Sequence, residues 1–177
     1  MIGKLRNFWG DNKGVAAIEF ALIATPFFLL LFGIVETGIF YASNIVLEGG
    51  AAEASRIIRT GQITGNSGQA QAAFAANLCT QISGLIPCNS VQYEVITMPN
   101  DKFTDAQNYQ PQYDANGNFV PRPFNAGGAC DVVLIRAVYT YNFMIPMIGN
   151  LMNGGVGKNL MSTAVIKNEP YTGIASC

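Results

Sequence analysis

Two residues near the N-terminus have the types and spacing that could carry chemistry. Glu19 follows Gly14 by five residues, and an uncharged apolar run, 20–35, begins at the next position. An acidic side chain at the centre of a bilayer costs about 2.5–3.5 kcal/mol on translocon scales, so this carboxylate needs a partner or a function. The chemistry that fits Glu19 is charge pairing with a cation in a medium of low dielectric constant.

The element that must position Glu19 is a membrane-spanning helix. As a helix, the run 20–35 covers about 24 Å, and extension back to Val15 and on toward Tyr41 supplies the roughly 30 Å of a hydrocarbon core. Pro26 lies inside this run. A proline inside a helix removes one hydrogen bond, so we expect a kink or a loosened turn there.

A short basic tail precedes the predicted helix. Lys4, Arg6 and Lys13 stand against a single acid, Asp11. The positive-inside rule keeps such a tail in the cytoplasm, which places everything after the helix on the other side of the membrane.

Three hypotheses account for this N-terminal segment. A secretory signal peptide would have a shorter apolar core, and the nearest small-x-small cleavage sites lie well downstream, at 50–54. A generic signal anchor explains the length but leaves Glu19 unexplained. A prepilin of the type IV kind explains both features. A prepilin peptidase would cut after Gly14, and Glu19 would neutralise the new α-ammonium of Val15, in its own chain or in a neighbouring subunit.

Motifs near both ends of the chain resemble a known family. Segments 14–22 (GVAAIEFAL), 32–38 (FGIVETG) and 164–171 (AVIKNEPY) are similar to those of TadE-like proteins, the pseudopilins or minor pilins of the Tad (Flp) pilus machinery. The family's processing motif has a glycine, four residues, a glutamate and an aromatic residue, usually tyrosine. Phe20 is the aromatic residue here.

The resemblance implies a site, a location and partners. Gly14 and Val15 would flank the cut, and Glu19 and Phe20 would serve assembly and recognition. The implied partners are a prepilin peptidase, other pilins or pseudopilins, the inner-membrane pilus assembly platform and membrane lipid. The protein would lie in the bacterial inner membrane with its C-terminal domain in the periplasm, and incorporation into the extracellular pilus stays open. The alternative is an uncleaved single-span protein with a periplasmic ligand- or partner-binding domain.

Small residues spaced by four let membrane helices approach closely, and two such pairs occur here. They are Gly33 with Thr37 and Gly38 with Ala42. The helix is expected to continue through Ile58 and to stop at Gly61, a length of about 65 Å.

The rest of the chain predicts an α+β head of pilin-like architecture. Ser67 is placed to cap a second helix with one apolar stripe, and alternating patterns at 91–96, 133–143 and 160–167 predict a roughly three-stranded antiparallel sheet. The stripe comprises Ala70, Phe74, Leu78 and Ile82. An apolar stretch at 146–153 is expected to join the last two strands or to dip against the membrane surface. The predicted divisions are a leader at 1–14, the helix at 15–60 and the head at 61–177.

Segment 99–129 is rich in Asn, Gln, Pro and Gly. Asn116 and Gly117 predict a small hairpin within it. Asp114, Asn116 and Asn118 have the spacing of a calcium loop, but the required downstream glutamate is absent. The segment is interpreted either as a surface that contacts other subunits or targets, or as a solvated insertion.

All four cysteines follow the apolar run, which indicates disulfides in an oxidising compartment. Of three possible pairings, sequence proximity favours Cys79–Cys88 with Cys130–Cys177. The alternatives are reduced thiols in the core and a zinc site, and the lack of a C-x-x-C pair argues against zinc.

Composition argues against catalysis and nucleic-acid binding. The chain has no histidine, a net charge of −1 and only 12% charged residues, against a typical 25% or so. We expect no enzyme, no cofactor and no metal. The polar residues beside the strands are Asp131, Arg136 and Glu169, and Arg136 with Glu169 is interpreted as a structural ion pair or a capping contact.

Overall fold

The computed structural model describes residues 14–152, 157–171 and 177. The basic tail and most of the predicted leader lie outside these residues. The chain divides into two compact units, Met1–Ile39 and Phe40–Cys177. This division falls inside the long helix because the helix from Phe40 onward packs into the core of the second unit. The functional boundaries at 14 and 60 stay a prediction.

Helix α1, Val15–Arg59, has 45 residues and confirms the predicted long N-terminal helix, with Pro26 inside it. Within the second unit its buried side chains recur every three or four residues, which is the pattern of a helix with one face in a core. This stripe comprises Phe40, Ser43, Leu47, Ala51, Ala54 and Ile58, and Ser55 is buried beside it.

Helix α1 ends where the sequence predicts. Gly61 has a φ of 74°, and its N–H donates to the carbonyl of Ile58. A left-handed residue directly after a helix terminates it and satisfies its last carbonyls. The ring of Tyr171 lies against Gly61 so closely that an added Cβ would collide with it. Gly61 is therefore required both for its backbone conformation and for this contact.

Helix α2, Gly68–Ile82, is capped as predicted, because the Ser67 hydroxyl accepts from the Ala70 N–H at 3.1 Å. Its four-residue stripe is buried. At Gly50 of α1, an added Cβ would lie 2.5 Å from Cγ2 of Ile82. The glycine thus permits close contact between the two helices within the second unit.

Three strands form an antiparallel sheet in the order β1-β2-β3, as expected from the alternating patterns. They are β1 (Val91–Thr97), β2 (Val132–Asn142) and β3 (Gly157–Lys167). The short helix α3, Pro146–Leu151, lies in the connection from β2 to β3. The register is continuous, with Val95 opposite Ile135 and Ile135 opposite Ala164.

The helices cover one face of the sheet. The rings of Phe74 on α2 and Tyr93 on β1 are 5.2 Å apart, and those of Phe40 on α1 and Tyr141 on β2 are 5.4 Å apart. Because alternate residues of a strand point to opposite faces, Tyr93 shares its face with Val95 and, across the sheet, with Ile135.

Segment 99–129 contributes to covering the opposite face. Its 3-10 helix, Phe103–Asn108, supplies Ala106, and Tyr109 follows directly. Both pack against a buried apolar cluster formed by Ile96, Met98, Val132 and Leu134. Residues 132–138 of β2 are accordingly all buried. The predicted hairpin forms within the segment, with a bridge between Tyr113 and Phe119.

The predicted ion pair between Arg136 and Glu169 is wrong. Arg136 pairs with Glu94, which is its direct neighbour across β1 and β2. Glu169 pairs with Arg59, at 3.3 Å between Oε1 and Nε. The Glu169 N–H also donates to the Arg59 carbonyl, which holds this residue beside the end of α1.

The structure pairs Cys79 with Cys88 and Cys130 with Cys177, the combination favoured by sequence proximity. Cys79 lies in α2 and Cys88 follows six residues after that helix, so this bridge links α2 to the start of β1. The second bridge ties the C-terminal residue to the turn that precedes β2.

Candidate functional site

Gly14 lies directly before α1 and is exposed. Among the residues that the structure describes, nothing lies within 4 Å of a Cβ built at this position. Val15, the first helical residue, is 46% exposed. The bond between Gly14 and Val15 is thus uncovered by the described part of the chain, although a cut at this bond stays a prediction.

Glu19 lies one helical turn after Val15 on the same face of α1, because residues four apart in a helix are neighbours. Its side chain is exposed. In a chain that began at Val15, the α-ammonium would stand about 6 Å along the axis from the level of Glu19. The spacing therefore suits pairing within one chain as well as pairing with a neighbouring subunit.

The surroundings of Glu19 on α1 are apolar on every side. Phe20 is 69% exposed, and the large hydrophobic residues that follow are exposed as well. They are Leu22, Ile23, Phe27, Phe28, Leu29, Leu30, Leu31, Phe32, Ile34 and Val35. A helix that is hydrophobic all round belongs in a membrane or in a protein core, and the most apolar window of α1 is not buried in the described structure. One membrane span is therefore indicated.

The predicted small-residue pairs do not share one face. At 100° per residue, the pair Gly33 and Thr37 lies about 140° around the helix from the pair Gly38 and Ala42. The Thr37 hydroxyl donates to the Gly33 carbonyl at 2.8 Å, so its hydrogen bond is satisfied within the helix. Each pair could serve a different neighbouring helix, and the packing role of both stays a prediction.

Sequence reasoning missed the burial of Glu36. This acid directly follows the uncharged run 20–35, and its side chain is only 2% exposed. Glu36 precedes Phe40 by four residues and Ser43 by seven, so it continues the spacing of the buried stripe of α1. That spacing is the signal that could have identified it.

The C-terminal motif at 164–171, referred to here as the distal motif, makes contacts that stabilise one end of the second unit. The buried Asn168 side chain donates to the carbonyls of Ala126 and Gly128, at 3.0 and 2.8 Å. Tyr171 covers Gly61. Burial, and then the charge of Asp131, raise the pKa of the Tyr171 phenol above its usual value. These contacts give the motif a structural role in the fold.

Residues 14–56 match the family model described as TadE-like protein. The match begins at Gly14 and covers most of α1, so the resemblance drawn from the N-terminal motif is confirmed over these residues. The distal motif at 164–171 lies outside the matched range. No curated protein and no solved structure matches the chain.

Proposed function

We propose that this protein is a minor pilin or pseudopilin of a Tad (Flp)-type pilus, cut after Gly14 by a prepilin peptidase. One coincidence carries the proposal. The family match starts at Gly14, and in the first part of the helix that follows, 15–35, Glu19 is the one charged residue and lies one turn from the start. The TadE-like family comprises structural pilus components, so the proposed activity is assembly: priming, capping or anchoring the pilus.

The proposed role of Glu19 follows from the cost of a carboxylate in lipid. An unpaired Glu19 is penalised there, and pairing with the α-ammonium of a cleaved chain offsets part of that penalty. Cleavage before Val15 would create that ammonium at the matching helical position. If the ammonium belongs to a neighbouring subunit, the pairing fixes the axial register between two helices. Phe20 and the apolar surface of α1 would then pack against partner helices.

The proposed topology places the tail in the cytoplasm and the second unit in the periplasm. Lys4, Arg6 and Lys13 support this orientation through the positive-inside rule. Two disulfides in the second unit fit an oxidising compartment. The prepilin peptidase, other pilins and the inner-membrane assembly platform are the proposed partners.

An uncleaved protein with a ligand-binding head is the second candidate, and one surface cavity favours it. The cavity has a volume of about 510 Å³ and lies between α2, β1 and the end of segment 99–129; its lining is Asn66, Gln71, Tyr93, Pro121, Arg122, Pro123 and Phe124. Arg122, its one charged residue, already pairs with Glu94 at 3.2 Å. The guanidinium is thus engaged in the fold, which weakens the case for a charged ligand.

Complementation tests the proposed function. In the native bacterium, deletion of the gene should reduce pilus formation, and the wild-type chain should restore it. The Glu19→Ala variant should insert in the membrane but fail to restore pili, whereas the matched Glu48→Ala variant, altered at an exposed acid further along α1, should restore them. Full piliation with Glu19→Ala would refute the role given to Glu19.

A further inference from the structure

The connection between β2 and β3 carries a cluster of exposed apolar side chains. Met144 is 76% exposed, Met147 59% and Leu151 85%. We refer to these three residues as the apolar patch. No charged residue occurs in the sequence between Arg136 and Lys158. An exposed apolar cluster of this kind marks a surface that contacts a partner or a membrane.

The apolar patch lies at the end of the second unit where the chain enters it. Phe143, directly before the patch, stacks on Phe40 with ring centroids 5.5 Å apart. Phe40 is the first residue of this unit. It follows Val35, the last residue of the uncharged run, by five positions, and five residues reach at most about 18 Å even when fully extended.

The residues around the patch are those of a membrane interface. The ammonium of Lys158 lies 5.9 Å from the centre of the Phe40 ring and donates to the Met152 carbonyl at 3.1 Å. Tyr41, next to Phe40, is 57% exposed. Aromatic side chains and snorkelling lysines collect at the level of lipid headgroups, where one end is apolar and the other is wet.

We propose that the apolar patch docks on the membrane surface and holds the second unit against the bilayer. Met147 and Leu151 enter the boundary between headgroups and acyl chains, and Lys158 faces the lipid phosphates. The unbranched, flexible side chain of methionine suits such a disordered environment, and a helix lying in the interface plane is a known mode of attachment. The inference rests on the membrane insertion of 20–35 and is independent of pilus assembly.

Quenching by brominated lipids tests the contact in the full-length chain. Trp9 is the single tryptophan, so a Trp9→Phe background allows one reporter at a time. Three reporters are compared in vesicles of phosphatidylcholine and phosphatidylglycerol with brominated acyl chains. They are Leu151→Trp in the patch, Leu29→Trp in the span, and Phe103→Trp at a distant exposed site. Phe103, 55% exposed, shares a surface depression with Arg59, which lies roughly 28 Å along α1 from Phe40.

The expected result is strong quenching at 29, at least half as much at 151, and almost none at 103. If the tryptophan at position 29 is quenched but the one at position 151 is quenched no more than the one at position 103, the docking is overturned and the insertion of the span still holds. Absence of quenching at 29 would overturn insertion itself, and the docking with it. Each measurement is repeated at two protein-to-lipid ratios. If the fluorescence of the tryptophan at position 151 changes with the protein-to-lipid ratio but is not quenched by brominated lipid, a second copy of the chain covers the patch. The assignment of the patch to lipid is then wrong.

Discussion

Glu94 on β1 lies directly opposite Arg136 on β2, and their buried side chains form an ion pair on the sheet face that segment 99–129 helps to cover. Arg122 of that segment binds the same carboxylate, and its backbone N–H donates to Oε2 at 3.1 Å. Arg122 and Arg136 also donate to the carbonyls of Gln110 and Tyr109. One buried carboxylate thus connects two strands and an irregular segment.

Removal of that carboxylate should be strongly destabilising. The Glu94→Gln variant leaves two guanidinium groups without their counterion, and Arg136 is almost fully buried. Breaking a buried pair by removing one partner typically costs about 3–5 kcal/mol. We expect a loss of this size in the free energy of unfolding, measured by chemical unfolding of the detergent-solubilised chain and followed by circular dichroism.

Glu53→Gln is the matched control for Glu94→Gln. Glu53 pairs with Arg56 across one turn of α1, at 3.5 Å and on an exposed surface. Exposed pairs contribute about 0.2–1 kcal/mol, so this variant should unfold almost as the wild type does. Equal effects of the two substitutions would contradict the organising role of Glu94.

Two glycines with similar backbone angles should respond differently to alanine. Gly61 and Gly65 have φ values of 74° and 70°. Gly65→Ala should cost about 1–2 kcal/mol, the strain of a left-handed residue with a Cβ, because its surroundings are open. Gly61→Ala should cost about 1–3 kcal/mol more, because the new methyl group meets the ring of Tyr171. Unfolding curves of both variants measure the difference, and equal losses would contradict the packing assigned to Tyr171.

Alkaline pH should weaken the second unit through Tyr171. Its pKa is raised in the folded state by burial and by the charge of Asp131, so folding disfavours the ionised phenolate. The stabilisation is complete below the unfolded pKa of about 10 and is lost as the pH rises through the raised folded value. In unfolding scans between pH 8 and 11.5, Tyr171→Phe should lose less stability than the wild type. Identical slopes for the two proteins would refute this assignment.

The two disulfides should contribute unequally to stability. Their sequence separations are 9 for Cys79–Cys88 and 47 for Cys130–Cys177. In the chain-entropy model, closing these loops is worth about 3 and about 4 kcal/mol respectively. Paired cysteine-to-serine variants, compared under oxidising conditions, should therefore show the larger loss for Cys130 and Cys177. No loss on reduction of the wild type would argue against either bridge.

Local chemistry made parts of the fold predictable. The Ser67 cap, the stripe of α2, the stop at Gly61 and the hairpin at Asn116 each depend on residues a few positions apart. The strands of the sheet are also marked by alternation in the sequence. The distant Glu94 and Arg136 meet only because of the register between β1 and β2, which the sequence pattern does not specify.

The packing of segment 99–129 on the second face of the sheet could not be predicted from the sequence, for a different reason. Segment 99–129 has no hydrophobic period, so nothing in it predicts that Ala106 and Tyr109 reach the sheet. The sequence of strand β2, on which the segment packs, did contain an indication of this burial. Residues 132–135 are Val, Val, Leu and Ile without a break, and a continuous apolar run is typical of a strand buried on both faces. For the N-terminal site, the sequence supplied the motif, and the functional assignments remain predictions.

The most direct test of the central claim is the intact mass and N-terminal sequence of the protein purified from its native membrane. We expect a chain that begins at Val15, and we expect a Gly14→Leu variant to retain the tail. A Gln62→Leu variant, altered at an exposed residue beyond α1, controls for nonspecific effects of an added leucine and should be cut normally. A wild-type chain that begins at Met1 would contradict the account, since the α-ammonium assigned to Glu19 would never form.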